Sequence, residues 1–122
     1  MPDFETLARR YIDNWNEKDA ASRRTATDSL WAEDASYVDP LTEAHGRDGI
    51  EATIGAVQSQ FPSFEFRLAG PVDGHHNQCR FGWELGPAGG EAPVAGSDVA
   101  VLTPDGLRLQ TVLGFLDRVP AT

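Results

Sequence analysis

Residues 94–119 read VAGSDVAVLTPDGLRLQTVLGFLDRV. Apolar runs on either side of a Thr-Pro-Asp-Gly turn make this two long strands joined in a hairpin. Side chains alternate along a strand, so Val94, Gly96, Asp98, Ala100 and Leu102 share one face and Ala95, Ser97, Val99 and Val101 the other. Both faces are apolar or small. A strand without a wet face is expected to be covered twice, here by helices on one side and a partner subunit on the other. Asp98 is then buried whichever way it points, and a buried carboxyl must be ion-paired, hydrogen-bonded or protonated.

Two more strands precede the hairpin. Phe64, Phe66 and Leu68 alternate with Glu65 and Arg67, and in NQCRFGWEL (77–85) Cys79, Phe81, Trp83 and Leu85 alternate with Arg80, Gly82 and Glu84. The Gly/Pro cluster GPAGGEAP (86–93) separates them from the hairpin. Further upstream the period changes to that of helices. Phe4, Leu7, Ala8, Tyr11, Ile12 and Trp15 mark one face of a helix over 4–17, with Asp3 as its N-cap. A weaker helical pattern runs through ASRRTATDSLWAED (21–34), followed by a short strand at 35–38. Asp48 and Glu51 resemble a capping box for a third helix, whose face is Ile50, Ile54, Val57 and Phe61 and whose stop is Pro62. Three helices with one early strand among them, then about four antiparallel strands, argue an α+β domain with helices over one face of a curved sheet.

The chain has 122 residues, enough for one domain spanning 1–122. Its net charge of -9, from 19 acids and 10 bases, argues against nucleic acid and anionic membrane surfaces as partners. The only lysine, Lys18, lies in a polar turn, which leaves Schiff-base chemistry without a candidate. Cys79 has no partner for a disulfide and reads as a packed thiol. The start MPDFETLARR is acidic and lacks the apolar stretch of a secretory signal, and no run of about 18 apolar residues occurs, so a cytoplasmic location is expected. Adjacent His75 and His76 point apart on a strand end and offer no metal site, and none of GxSxG, P-loop or GxGxxG is present.

The remaining polar candidates are few. Asp39 ends the early strand and precedes Pro40, where the Asp-Pro turn is enough to explain it and a cavity carboxylate is the other reading. Asp98 is either the partner of Arg80 or of a hydroxyl, or a group that works in a site. His45 follows Asp39 in a loop, solvated or overhanging a pocket mouth. Trp15, Tyr37, Phe61, Trp83 and Phe115 come from separate elements and are wall candidates for a pocket that takes a small hydrophobic molecule; an ordinary core would use the same rings.

Four segments, ARRYIDNWNEKD (8–19), LWAEDASYVDP (30–40), HGRDGIEATI (45–54) and APVAGSDVAVLTPDGLRLQTVLGF (92–115), resemble the nuclear transport factor 2-like superfamily, in particular its ketosteroid isomerase and SnoaL-like branches. The resemblance covers nearly the whole chain. It implies a cystatin-like cone of antiparallel sheet with three N-terminal helices over the concave face, and commonly a homodimer joined through the outer sheet face. It also implies roles: Asp39 matches the isomerases' base, and Tyr11 and a protonated Asp98 match their donors to a developing oxyanion. The implied activity is cofactor-independent isomerisation or cyclisation of a hydrophobic ketone through an enolate, with Arg80 or His45 orienting the substrate. The segment between Tyr11 and Asp39 is a few residues longer than in the isomerases, and CRFGWEL (79–85) with the ending GFLDRV (114–119) resembles the SnoaL-like branch more. Two other readings of the same pocket are a non-catalytic binding protein and, through an Asp-Arg-Asp set, epoxide hydrolysis; the Arg-x-Asp spacing of that set is missing around Arg80.

Overall fold

A computed structural model describes residues 2–120; Met1, Ala121 and Thr122, which the domain 1–122 includes, lie outside the described residues. The elements run α1 (Phe4–Asn16), α2 (Ala20–Leu30), β1 (Trp31–Val38), β2 (Glu43–His45), α3 (Gly46–Gln60), β3 (Phe64–His75), β4 (Gln78–Pro87), β5 (Val94–Leu102) and β6 (Leu109–Arg118). The fold is α+β, with the strands in one open sheet of order β2-β1-β6-β5-β4-β3. The sheet is mixed rather than wholly antiparallel, because β1 pairs in parallel with β6 while every other pairing is antiparallel. The early strand thus joins the sheet beside the last one, with the hairpin from the opening stretch at the centre.

Local chemistry accounts for most of the boundaries. Asp3 caps α1 by accepting from the Thr6 N–H (3.1 Å) and hydroxyl (2.8 Å), and Asp19 caps α2 at the Ser22 N–H (2.9 Å). Helix α1 buries Leu7, Ala8, Tyr11, Ile12 and Trp15, the face read from spacing. Helix α2 ends at Leu30, four residues short of the expected stop at Asp34. The reason is tertiary. Trp31 is fully buried, its indole N–H donates to Asn14 Oδ1 (2.9 Å), and its carbonyl accepts twice from the Arg47 guanidinium (3.0 and 2.8 Å). Those contacts hold the chain extended from Trp31 onward, so the early strand has eight residues instead of the expected four.

The capping box expected at Asp48 and Glu51 does not form. Helix α3 starts three residues earlier, at Gly46, whose φ of +74° suits a residue without a Cβ, and His45 at the N-cap makes no side-chain bond. The two acids bind α2 instead: Asp48 accepts from Arg24, and Glu51 from Arg23 (2.9 Å) and Thr27 Oγ1 (2.9 Å). In the sheet, the inner face carries Cys79, Phe81, Trp83 and Leu85 from β4 and Val94, Gly96, Asp98, Ala100 and Leu102 from β5, all but Gly96 and Asp98 apolar or a packed thiol. Helix α1 packs against β3, and α3 against β1 and β2. Among the described residues no helix is long and apolar enough to cross a membrane.

Candidate active site

Asp98 lies mid-strand on the inner face of β5, opposite Phe81 of β4 and Gly114 of β6, and is 2 % exposed. Parity puts it there, two residues after Gly96. That glycine has a purpose: a Cβ on it would stand 2.3 Å from Cζ2 of Trp83, so the indole lies across the bare backbone of β5. From that slot Trp83 donates its N–H to Asp98 Oδ1 (3.0 Å). Tyr11, reaching down from the buried stripe of α1, donates its hydroxyl to Asp98 Oδ2 (2.6 Å). Burial pushes the Asp98 carboxyl up to about 6, with the two hydrogen bonds opposing and the Asp39 and Asp117 charges adding to the rise. Burial, then the nearby Asp98 charge, holds the Tyr11 phenol well above its ordinary range, so it stays protonated.

The second carboxylate arrives from the end of β1. Asp39 Oδ1 accepts from the N–H groups of Leu41 (2.8 Å) and Thr42 (2.9 Å), and Oδ2 accepts from the Tyr37 hydroxyl (2.6 Å). Burial first and the bond to Asp39 second raise the Tyr37 phenol, keeping it a donor. Asp39 therefore makes the turn and faces the cavity at once. The two acids meet over one residue: a Cβ on Gly114 would lie 3.0 Å from Asp98 Oδ1, 3.2 Å from Asp39 Cβ and 3.5 Å from Tyr37 Oη. Anything larger than hydrogen at that position would fill the gap between them.

These groups open into a cavity of about 470 Å³, within the usual size of small-molecule sites. Tyr11, Trp15, Tyr37, Asp39, Phe61, Trp83, Asp98 and Phe115 all border it, so eight of the ten residues singled out from sequence come together, but Phe115 is not the wall expected: its parity is opposite to that of Gly114, which sets its 54 % exposed ring on the outer face. Two do not. Arg80 has the parity opposite to Phe81, lies exposed on the outer face and pairs with Asp73 (3.3 Å), which rules out the Arg80–Asp98 ion pair. His45 is exposed beside Glu43 at the start of α3 and does not border the cavity. Sequence reading missed Phe66, Gly114 and the hydrogen bond from Trp83; parity in β3 carried the signal for Phe66, and the register of the hairpin, which sets Gly114 against Asp98, carried it for the glycine. A second, shallower hollow of about 370 Å³ between α1 and α2 holds none of the paired acids or aromatic walls. Among the described residues no three His, Cys, Asp or Glu side chains gather as a metal site would need.

Chemically, the arrangement sets an ionisable carboxylate and a phenol–acid pair on either side of a small gap, inside aromatic and aliphatic walls. Such a site can move a proton at one atom while donating a hydrogen bond to its neighbour.

A model of the SnoaL-like domain matches residues 8–108. Among solved structures, a candidate isomerase of the SnoaL-like family from Agrobacterium tumefaciens is 43 % identical, with 93 % of this chain and 97 % of that one aligned at a TM-score of 0.89. A candidate ketosteroid isomerase from Kribbella flavida is 20 % identical (100 % and 85 % covered, TM-score 0.70), and a nuclear transport factor 2-like protein of unknown function from Cytophaga hutchinsonii is 13 % identical (96 % and 92 %, TM-score 0.69). These last two establish the fold only. No curated protein matches the chain. With a family model over most of its length and a near-superposable relative, the chain belongs to the SnoaL-like family.

Proposed function

We propose that the protein is a cofactor-independent isomerase or cyclase of a hydrophobic ketone, working through an enolate. The observation that carries this reading is the pair of acids flanking Gly114, one bonded to a phenol, inside an apolar cavity. Asp39 takes the proton from the carbon next to the carbonyl. The C–H electron pair becomes the enolate double bond, the carbonyl oxygen gains the negative charge, and Asp39 returns the proton to another carbon. The sequence is redox-neutral.

Stabilising that oxygen requires a free donor, and the Tyr11 hydroxyl is bound to Asp98. Protonation of Asp98 resolves this. Its own O–H then donates to Tyr11 Oη, the phenol turns its proton into the cavity, and Asp98 Oδ1 keeps the Trp83 bond. Asp98 acts in this scheme through Tyr11, as a positioning residue.

The test is Asp39→Asn, whose amide oxygen can still accept from the turn. Exchange of α-protons for deuterium on a cyclic ketone such as 2-tetralone, followed by NMR, is expected to vanish in the variant while binding survives. Unchanged exchange refutes the assignment. One observation favours a second reading, ligand binding without turnover: Asp39 already accepts three hydrogen bonds, two from its own turn and one from the Tyr37 hydroxyl, as a carboxylate that only shapes the turn would. Absence of exchange in the wild-type protein, with binding intact, would select it. Epoxide hydrolysis through an Asp-Arg-Asp set loses its arginine, since Arg80 stands on the outer face.

The proposed setting is a cytoplasmic homodimer. Supporting the dimer, Leu113 and the 54 % exposed Phe115 stand on the outer face beside half-buried Val99 and Val101, an apolar strip that a second copy would cover. Sedimentation at micromolar concentration is expected to give twice the chain mass; a monomer overturns this part.

A further inference from the structure

Most donors in the cavity are already committed. The Tyr11 hydroxyl and the Trp83 indole both donate to Asp98, and the Tyr37 hydroxyl donates to Asp39. Gln60 also borders the cavity but is exposed. One deep donor is left over. Trp15 Nε1 is buried without an acceptor, alone in this among the buried side-chain nitrogens and oxygens of the described residues. Its side chain is among the cavity walls and is only 5 % exposed.

Helical geometry explains its position. Trp15 follows Tyr11 by four residues on α1, so the two rings stand one turn apart on the same face, centroids 6.1 Å apart. The indole N–H comes close enough to the Tyr11 oxygen to act on its ionisation, yet it makes no well-formed hydrogen bond there. Around it, the rings of Tyr37 and Phe66 pack at 5.4 Å and supply bulk instead of an acceptor. Native interiors leave few buried donors unpaired, because the lost hydration is costly. Packing alone needs the bulk of the ring and has no use for its N–H.

We infer that Trp15 is a ligand-binding residue: its indole N–H donates to the same ligand oxygen that Tyr11 addresses, and the cavity takes a neutral ligand whose inner end is a carbonyl. A carbonyl oxygen has two lone pairs and can accept from both groups at once. A carboxylate ligand is disfavoured, because Asp39 and Asp98 border the cavity and, among the described residues, no Lys, Arg or His does. The inference rests on the ketone reading above for the oxygen-bearing end of the ligand.

The experiment compares 2-tetralone with the same bicycle carrying an exocyclic methylene in place of the carbonyl, each titrated calorimetrically into wild-type protein and Trp15→Phe. The variant is expected to bind the ketone about tenfold more weakly and the methylene compound within about twofold of wild type, the size of one lost hydrogen bond. Equal losses for the two compounds mean that Trp15 only packs, and no loss for either means that its N–H is unused; both results overturn the inference. Failure of 2-tetralone to bind wild-type protein overturns it together with the ketone reading. Should Trp15→Phe unfold, 3-benzothienylalanine inserted at position 15 keeps the bicyclic shape, removes the N–H, and is expected to give the same split. Deuterium exchange on 2-tetralone, followed in parallel, separates the two ideas. A ketone-selective loss without wild-type exchange upholds Trp15 and sinks the proton transfer, whereas exchange without a selective loss does the reverse.

Discussion

Replacing Asp98 with Asn offers a measurement that needs no substrate. The Asn side chain can keep both contacts, its amide N–H₂ donating to Tyr11 Oη and its oxygen accepting from Trp83, so the change chiefly removes a titrating charge. Folding raises the Asp98 carboxyl from its ordinary 3.8 to about 6, which corresponds to roughly 3 kcal/mol of destabilisation once the group is ionised. The sign follows from proton binding. Between those two values the native state holds more protons at this site than the unfolded chain, so this contribution to stability falls as pH rises. Below 3.8 the penalty is absent, and above about 6 it is complete. Urea denaturation of the two proteins from pH 3.5 to pH 8 measures the difference, since every other carboxylate is common to both. Asp98→Asn is expected to gain on wild type by roughly 3 kcal/mol across that range and to be the more stable protein at pH 8. A gap that stays constant with pH, or narrows toward high pH, would show that Asp98 is not the destabilised buried acid described above.

Other perturbations follow from the same geometry. Because Tyr11 can donate into the cavity only when Asp98 holds a proton, kcat/KM of the wild type should decline as pH rises through about 6, and Asp98→Asn should flatten that limb; a rising limb there refutes the scheme. Gly96→Ala drives a methyl into Trp83 and the Phe115 carbonyl (2.4 Å), so a loss of about 1–3 kcal/mol in denaturant titration and a red-shifted tryptophan emission are expected. Gly114→Ala meets its neighbours at 3.0–3.5 Å, which a small shift relieves; the fold should survive while the methyl, sitting between the acids, weakens ketone binding by about tenfold or more.

The fold was readable where one face of an element does one job. The α1 stripe, the β4 alternation and the β5 parity each follow from side-chain period, and each is found as read. The misreadings share a cause, which is that a distant residue competes for a local group. Trp31 continues a helical pattern in sequence, but Asn14 and Arg47 hold its ring and carbonyl and pull it into the sheet. Asp48 and Glu51 have capping-box spacing, but the arginines of α2 offer charged partners that a backbone N–H cannot match. The parallel pairing of β1 with β6 spans most of the chain, and no local period encodes it.

The site shows the same division. Asp98 was legible because a charge in a strand with no wet face has to be accounted for by something. What accounts for it was not, since Arg80 and Trp83 both lie on the neighbouring strand and only parity separates them: Trp83 shares the inner face with Asp98, and Arg80 faces out. Had Arg80 been the partner, its guanidinium would have held Asp98 ionised and the cavity would have a permanent anion at its base. An indole N–H instead gives direction without charge, so burial decides the protonation of Asp98 and Tyr11 is released or held accordingly. That exchange of a neutral donor for a cation turns a structural carboxylate into one able to change state near neutral pH. It depends on Gly96, the residue with no side chain, which makes room for the ring that delivers the bond.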